Sequence, residues 1–239
     1  MPSNIHSGTA AGDAAITNTG DALTNTGSDA QANTNIGTLT NTDGSTRTNT
    51  DDTALTDIIC ITNRRLCCSG DLIRQLKRVL PLHPKAVVLR EKDLSASDYA
   101  GLLEQCAVLC RAYDIPLIAH TFIDAARALK LPAIHLPLPL LLANGGRPAG
   151  FKVVGTGVHS ANDAKKAIAC GADYLFAGHI FETACKEGLP GRGLSFLNDI
   201  CRLSPIPVYA IGGITLKNMP LCRNAGACGG CMMSELMRL

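Results

Sequence analysis

Tryptophan is absent from this chain, and phenylalanine and tyrosine bring the aromatic share to only 4%. A surface that holds single-stranded nucleic acid by stacking needs more rings than that. Basic residues never run longer than two in succession, so the electrostatic footprint of a nucleic-acid binder is missing as well. No apolar stretch reaches the length of a membrane span, which argues against a membrane partner. The N-terminus lacks a basic segment followed by an apolar run, so we expect no secretory signal and a cytoplasmic location. In that compartment the eleven cysteines are reduced thiols. Cys228-x-x-Cys231 has no second cysteine pair near it, and Cys106 and Cys110 fall four apart on one helix face, so packing accounts for both. Large apolar side chains are nearly missing from the first fifty-odd residues. There TNTG recurs at 17–20 and 24–27, and TNTD at 40–43 and 48–51. Such a segment cannot bury enough surface to offset its chain entropy, and residues 1–56 are expected to form a disordered extension.

What the rest contains is different. Hydrophobic residues make up 46% of the chain, enough for a sizeable core. The net charge of +2 is uneven: residues 1–52 hold six acids and one base, Arg47, which leaves 21 bases against 14 acids in the remainder. That mild positive excess suits small anionic substrates.

From residue 57 onward, short β-branched apolar runs alternate with amphipathic segments. Strands are expected at 58–62, 86–89, 116–119, 133–136, 152–158, 174–177, 207–211 and 227–233. Between them lie expected helices at 72–80, 97–113, 123–129, 161–170 and 194–203, a stubby one at 138–143, and one capped by Thr215 that Pro220 interrupts. Eight strands in this alternation make a (β/α)8 TIM barrel over residues 57–239, near the short end for that fold. An open doubly wound sheet is the competing arrangement, but no Gly-x-Gly-x-x-Gly follows the first strand. Only residues 234–239 remain for a closing helix, so a barrel face is expected to stay uncovered. A homo-oligomer is left open.

In such a barrel, ligands bind where strands end at their carboxyl side. Several polar groups fall there. Arg90-Glu91-Lys92-Asp93 ends the second strand, read either as a solvated charged turn or as an anion contact. His159 closes the fifth strand just before a helix start. A lone histidine is often structural, but this one sits where an imidazole can exchange a proton. His120 and His179 compete with it, while His135 lies within a strand and reads as core. Gly212-Gly213 ends the seventh strand and Met233-Ser234 the eighth. The glycines are either a tight turn or a backbone cradle for phosphate.

Several separated motifs occur together: Val158-His159-Ser160, Gly178-His179-Ile180-Phe181-Glu182-Thr183, Cys185-Lys186, Gly188-Leu189-x-Gly191-Arg192-Gly193 and Ala210-Ile211-Gly212-Gly213-Ile214-Thr215. With Arg90-Glu91-Lys92-Asp93, they resemble the thiamine phosphate synthase/TenI superfamily from about residue 58 to the C-terminus. The resemblance favours its TenI branch and implies His159 as the catalytic group. It implies Arg90, Lys92, Lys186, Gly212, Gly213 and Ser234 as contacts to a small phosphorylated thiazole. The synthase branch carries an Asn-Asp pair after its third strand and a Gly-Gln type sequence after its fourth, and uses magnesium. Here Ala119-His120-Thr121-Phe122 and Leu136-Pro137-Leu138 stand instead. We therefore expect a thiazole tautomerase, an isomerase with no metal or other cofactor, in which His159 shuttles the proton. The alternative is a thiamine phosphate synthase, a transferase joining thiazole phosphate to hydroxymethylpyrimidine pyrophosphate with Mg2+. A non-catalytic binder of a thiamine precursor is the third reading.

Overall fold

The computed structural model describes residues 55–183 and 188–239. The expected disordered extension lies outside the described residues except at its end. There Leu55 is buried and its N–H donates to Leu82 O, so order begins slightly before the expected boundary.

Eight parallel strands close into a barrel in sequence order. They are β1 (Ile58–Ile61), β2 (Ala86–Leu89), β3 (Leu117–His120), β4 (Ala133–Pro137), β5 (Val153–Val158), β6 (Tyr174–Gly178), β7 (Val208–Ile211) and β8 (Gly229–Met232). Among the described residues the α-helices are α1 (Leu72–Val79), α2 (Ala96–Ala112), α3 (Ile123–Ala128), α4 (Leu138–Ala143), α5 (Ala161–Ala169), α6 (Gly193–Leu203), α7 (Met219–Asn224) and α8 (Ser234–Met237). This is the (β/α)8 barrel expected from the alternation.

The two-residue period of a strand sorts the strand side chains into two cores. Ile59, Ile61, Ala86, Val88, Ile118, Val153, Tyr174, Phe176, Tyr209 and Cys231 fill the lumen. Their neighbours Ile58, Cys60, Val87, Leu89, Leu117, Val154, Leu175 and Val208 point outward into the layer shared with the helices. Cys106 and Cys110 belong to that outer layer and Cys231 to the lumen, as packing required, but Cys228 is exposed, so packing does not account for that half of the Cys228-x-x-Cys231 pair.

Helix starts follow local chemistry. Asp71 accepts from Arg74 N at 3.1 Å and Ser160 Oγ from Asp163 N at 3.0 Å, each satisfying an amide that has no partner in the first turn. Helix α2 is capped by Ser95 and starts at Ala96, one residue ahead of the expected start. Pro220 does not interrupt α7. It lies in the first turn, where a missing N–H costs nothing, and so helps start the helix.

The short closing helix does its work with one turn. Leu236 and Met237 are buried in the outer core, and Gln75 Nε2 donates to Leu236 O at 2.7 Å. The outward side chains of the adjoining strands, Ile58, Cys60 and Met232, are buried too, so the uncovered face expected there is not found. Among the described residues no helix is long and apolar enough to cross a membrane.

Candidate active site

The carboxyl ends of the strands form a mouth whose two sides are built differently. On one side lies the run after β2. Arg90 continues the inward phase of Ala86 and Val88, and the register that pairs Leu89 with Ala119 sets it beside His120. The Arg90 N–H donates to Thr62 Oγ1 at 2.9 Å, and that hydroxyl donates to Glu91 at 2.7 Å. Glu91 is only 2% exposed, a position a carboxylate holds only when its oxygens are satisfied. The Arg64 backbone N–H and guanidinium supply the remaining bonds, at 3.0 and 3.1 Å. Arg64 then reaches Asp93 with both terminal nitrogens at 2.7 Å, and Arg65 adds a third contact at 2.6 Å. The bonds from Arg64, with the nearby charge of Arg65, hold the Asp93 carboxyl well below the usual range. Glu91 and Asp93, whose roles the sequence left open, are thus partners of Arg64. Lys92 is exposed on the same rim.

Below this rim the lumen is aromatic. His135 is buried, as a core histidine should be, with its ring 4.2 Å from that of Phe176 and Nδ1 3.2 Å from the Tyr174 hydroxyl. The His120 ring lies 5.8 Å from His135, and its Nδ1 is 2.7 Å from Thr121 Oγ1. Burial, reinforced by the charges of Arg90 and Lys92, pushes His120 down to about 3, and burial pushes His135 well below its ordinary value. Both rings are neutral. Tyr99, from α2, donates its hydroxyl to Leu89 O and accepts from His120 N, both at 2.8 Å. It therefore ties the ends of β2 and β3 together.

The other side is built from backbone. Along β5 the inward positions are Val153, Gly155 and Gly157, then His159 just past the strand end. A Cβ at Gly155 would stand 2.0 Å from the Tyr174 ring, so the glycine is what lets that ring fill the lumen. His159 is exposed at the mouth, with Nδ1 2.5 Å from Gly178 O. A carbonyl only accepts, so Nδ1 carries the proton, and in the neutral ring Nε2 is left as an acceptor. Asp163 fixes the same turn by accepting from His159 N at 3.0 Å.

Gly212 and Gly213 follow β7 with φ of 94° and 66°. A Cβ on Gly212 would lie 2.3 Å from His179 Cβ, and one on Gly213 would lie 2.5 Å from Glu182 O. The pair is glycine because the segment after β6 runs directly against it, with Phe181 N–H donating to Gly212 O at 3.0 Å. His179 itself is buried, 3.3 Å from Leu189 O through Nε2. Ser234 opens α8 at the end of β8, next to β7 in the barrel. Lys186 lies outside the described residues.

The mouth offers a magnesium ion little. Among the described residues no group of three or more His, Cys, Asp or Glu side chains is arranged to hold a metal. The Asp93 oxygens are occupied by two arginines, and His120 and Thr121 contribute no carboxylate. The residues present do not fit the hard-oxygen site that magnesium demands.

Comparison with known proteins places this barrel. A family model described as thiamine monophosphate synthase matches residues 58–236. The chain belongs to that family. The relative named thiamine-phosphate synthase from Syntrophomonas wolfei is 28% identical over 183 residues, covering 74% of this chain and 86% of the relative. The one from Coprothermobacter proteolyticus is 31% identical over 180 residues, covering 74% and 85%. The solved structure of thiamine phosphate pyrophosphorylase from Pyrococcus furiosus superposes with a TM-score of 0.67 at 27% identity, over 77% of this chain and 88% of that one.

Family membership makes the chain an enzyme of thiamine biosynthesis. It also overturns the tautomerase expectation, and the isomerase class with it, because these relatives carry the synthase name. That expectation rests on the missing Asn-Asp pair and on an imidazole at the end of β5. A missing carboxylate bears on how charge is neutralised, not on which bond is made.

Sequence reasoning does not find Thr62, Arg64, Arg65 or Tyr99. Asn63-Arg64-Arg65 does carry a signal, since two bases follow the first strand directly and the barrel order sets them beside the acids that follow the second.

Proposed function

We propose that this protein is a transferase that joins a thiazole phosphate to a hydroxymethylpyrimidine pyrophosphate. What carries the reading is the shared synthase name of relatives matched over most of their length. In this reaction the lone pair of the thiazole nitrogen forms a C–N bond to the exocyclic methylene. The methylene–oxygen bond breaks, and pyrophosphate leaves with its electrons. The nitrogen loses no proton, so no base is required at that atom.

The rate then depends on positioning two anions and on stabilising the charge that develops on the leaving group. Arg90 and Lys92 take the pyrophosphate. Gly212 and Gly213, with Ser234 at the start of the helix after the neighbouring strand, take the thiazole phosphate. His159, held through its Nδ1–H, turns Nε2 toward the gap between them. In this reaction it is a polar wall that orients the ring.

The test is to incubate the full chain with both substrates and follow thiamine phosphate and pyrophosphate by chromatography. Equal amounts of the two products, absent without protein, are expected. Intact substrates after prolonged incubation with folded protein, both with and without magnesium, would refute the reading.

A further inference from the structure

Resting on the transfer reading above, we infer that this chain holds the pyrophosphate group with the Arg90 guanidinium and the Lys92 ammonium and needs no divalent cation to do so. The carboxylates closest to those two residues in the chain are already committed. Asp93 receives both terminal nitrogens of Arg64 at 2.7 Å and one of Arg65 at 2.6 Å, so a metal ion would first have to strip it from two guanidinium groups. Glu91 is buried beneath them, bonded to Thr62 Oγ1 and to the backbone and side chain of Arg64.

The next two strand ends offer no replacement. β3 ends in His120, followed by Thr121, a ring nitrogen and a hydroxyl bonded to each other at 2.7 Å. β4 ends in Pro137, followed by Leu138. Asp124, at the start of α3, is exposed and paired with Arg127, and Asp163 on α5 caps His159 N.

The charge that a metal would supply is present in side chains. Arg64 and Arg65 pair with Glu91 and Asp93 on the rim that also carries Arg90 and Lys92. The Arg64–Asp93 pair uses up its own charges, and Arg90 stands beside His120 at the end of the next strand. His120 stays neutral between Arg90 and the lumen, so it can share a hydrogen bond with a phosphate oxygen but adds no charge. A pyrophosphate ester carries more than one negative charge, and a guanidinium that can bond two of its oxygens at once, beside an ammonium, suits its geometry.

The probe is inorganic pyrophosphate, titrated into the full chain by calorimetry, once with EDTA and once with excess magnesium. We expect dissociation constants that agree within about threefold, and a loss of about tenfold or more in EDTA for Arg90→Ala and for Lys92→Ala. Lys92 is exposed, so its variant keeps the fold even where Arg90→Ala does not. Binding that appears only with magnesium, or tightens tenfold with it, overturns the inference. So does binding that neither variant weakens.

The two-substrate reaction run in EDTA separates this from the transfer reading. Thiamine phosphate formed without magnesium supports both. Thiamine phosphate formed only with magnesium keeps the transfer and removes the inference. Metal-independent pyrophosphate binding with no product under either condition removes the transfer and keeps the pyrophosphate site.

Discussion

The two sides of the mouth reach order by opposite means. After β1 and β2, a net of charged side chains locks the rim: Arg64 and Arg65 hold Asp93, and Arg64 and Thr62 hold Glu91. After β5, β6 and β7, few charges take part. The chain instead packs backbone against backbone, with Gly212 and Gly213 under the His179–Glu182 segment and His159 bonded to a carbonyl. The difference teaches where each side can break. The first fails when a charge loses its partner, the second when any side chain is added.

The largest break is expected on the backbone side. Gly212→Ala puts a methyl group 2.3 Å from His179 Cβ and 2.7 Å from its Cα, at a backbone angle of φ 94° that disfavours L side chains. The loss should be on the order of 4 kcal/mol, read by chemical denaturation, or the variant fails to accumulate as folded protein. A variant as stable as the parent would show that the segment after β6 is free to move away.

Next comes the charged side. Glu91→Ala removes a buried carboxylate and leaves Arg64 with one anion fewer, for a loss of about 3 kcal/mol. Added salt should restore little of it, since the carboxylate is only 2% exposed. Substantial rescue by salt would mean that the bond is a surface one.

Beneath both sides, the neutral histidines set a pH response. His120 and His135 have depressed values when folded, so the unfolded chain takes up protons first as pH falls through about 6.5. The stability they contribute is present above that point and is lost as pH drops, by about 1.4 kcal/mol per pH unit for each ring. For His120 the loss runs down to about 3. Denaturation midpoints between pH 7 and 4.5 should therefore fall, and His120→Gln should make the fall shallower. An unchanged slope in that variant would mean that His120 is accessible to protons when folded.

The smallest effect is at Arg65, whose side chain is 72% exposed. Arg65→Ala should cost under about 1 kcal/mol, and salt should erase the difference.

The barrel was legible because each strand repeats one local signal, apolar residues bounded by turn or cap residues. The Asp71 and Ser160 caps needed no knowledge of the rest of the chain. The place of His159 was legible for the same reason, as the next inward position after Gly157. The Arg64–Asp93 pair was not, because it joins residues 29 apart that meet only once β1 lies beside β2. The reason for Gly212 was hidden in the same way. The glycine marks a turn, but the neighbour that forbids a side chain comes from the loop after another strand. The chemistry was misjudged at His120 and Thr121, where absent metal ligands seemed to exclude the transfer.

Tyr99 carries one last consequence. It is fully buried in α2, outside the barrel, yet its oxygen spans Leu89 O and His120 N, the backbone positions from which Arg90 and His120 project. A helix outside the barrel therefore acts as a crossbeam for two groups at its mouth. Drift in sequence along that helix can retune the gap between them while every residue lining it stays the same.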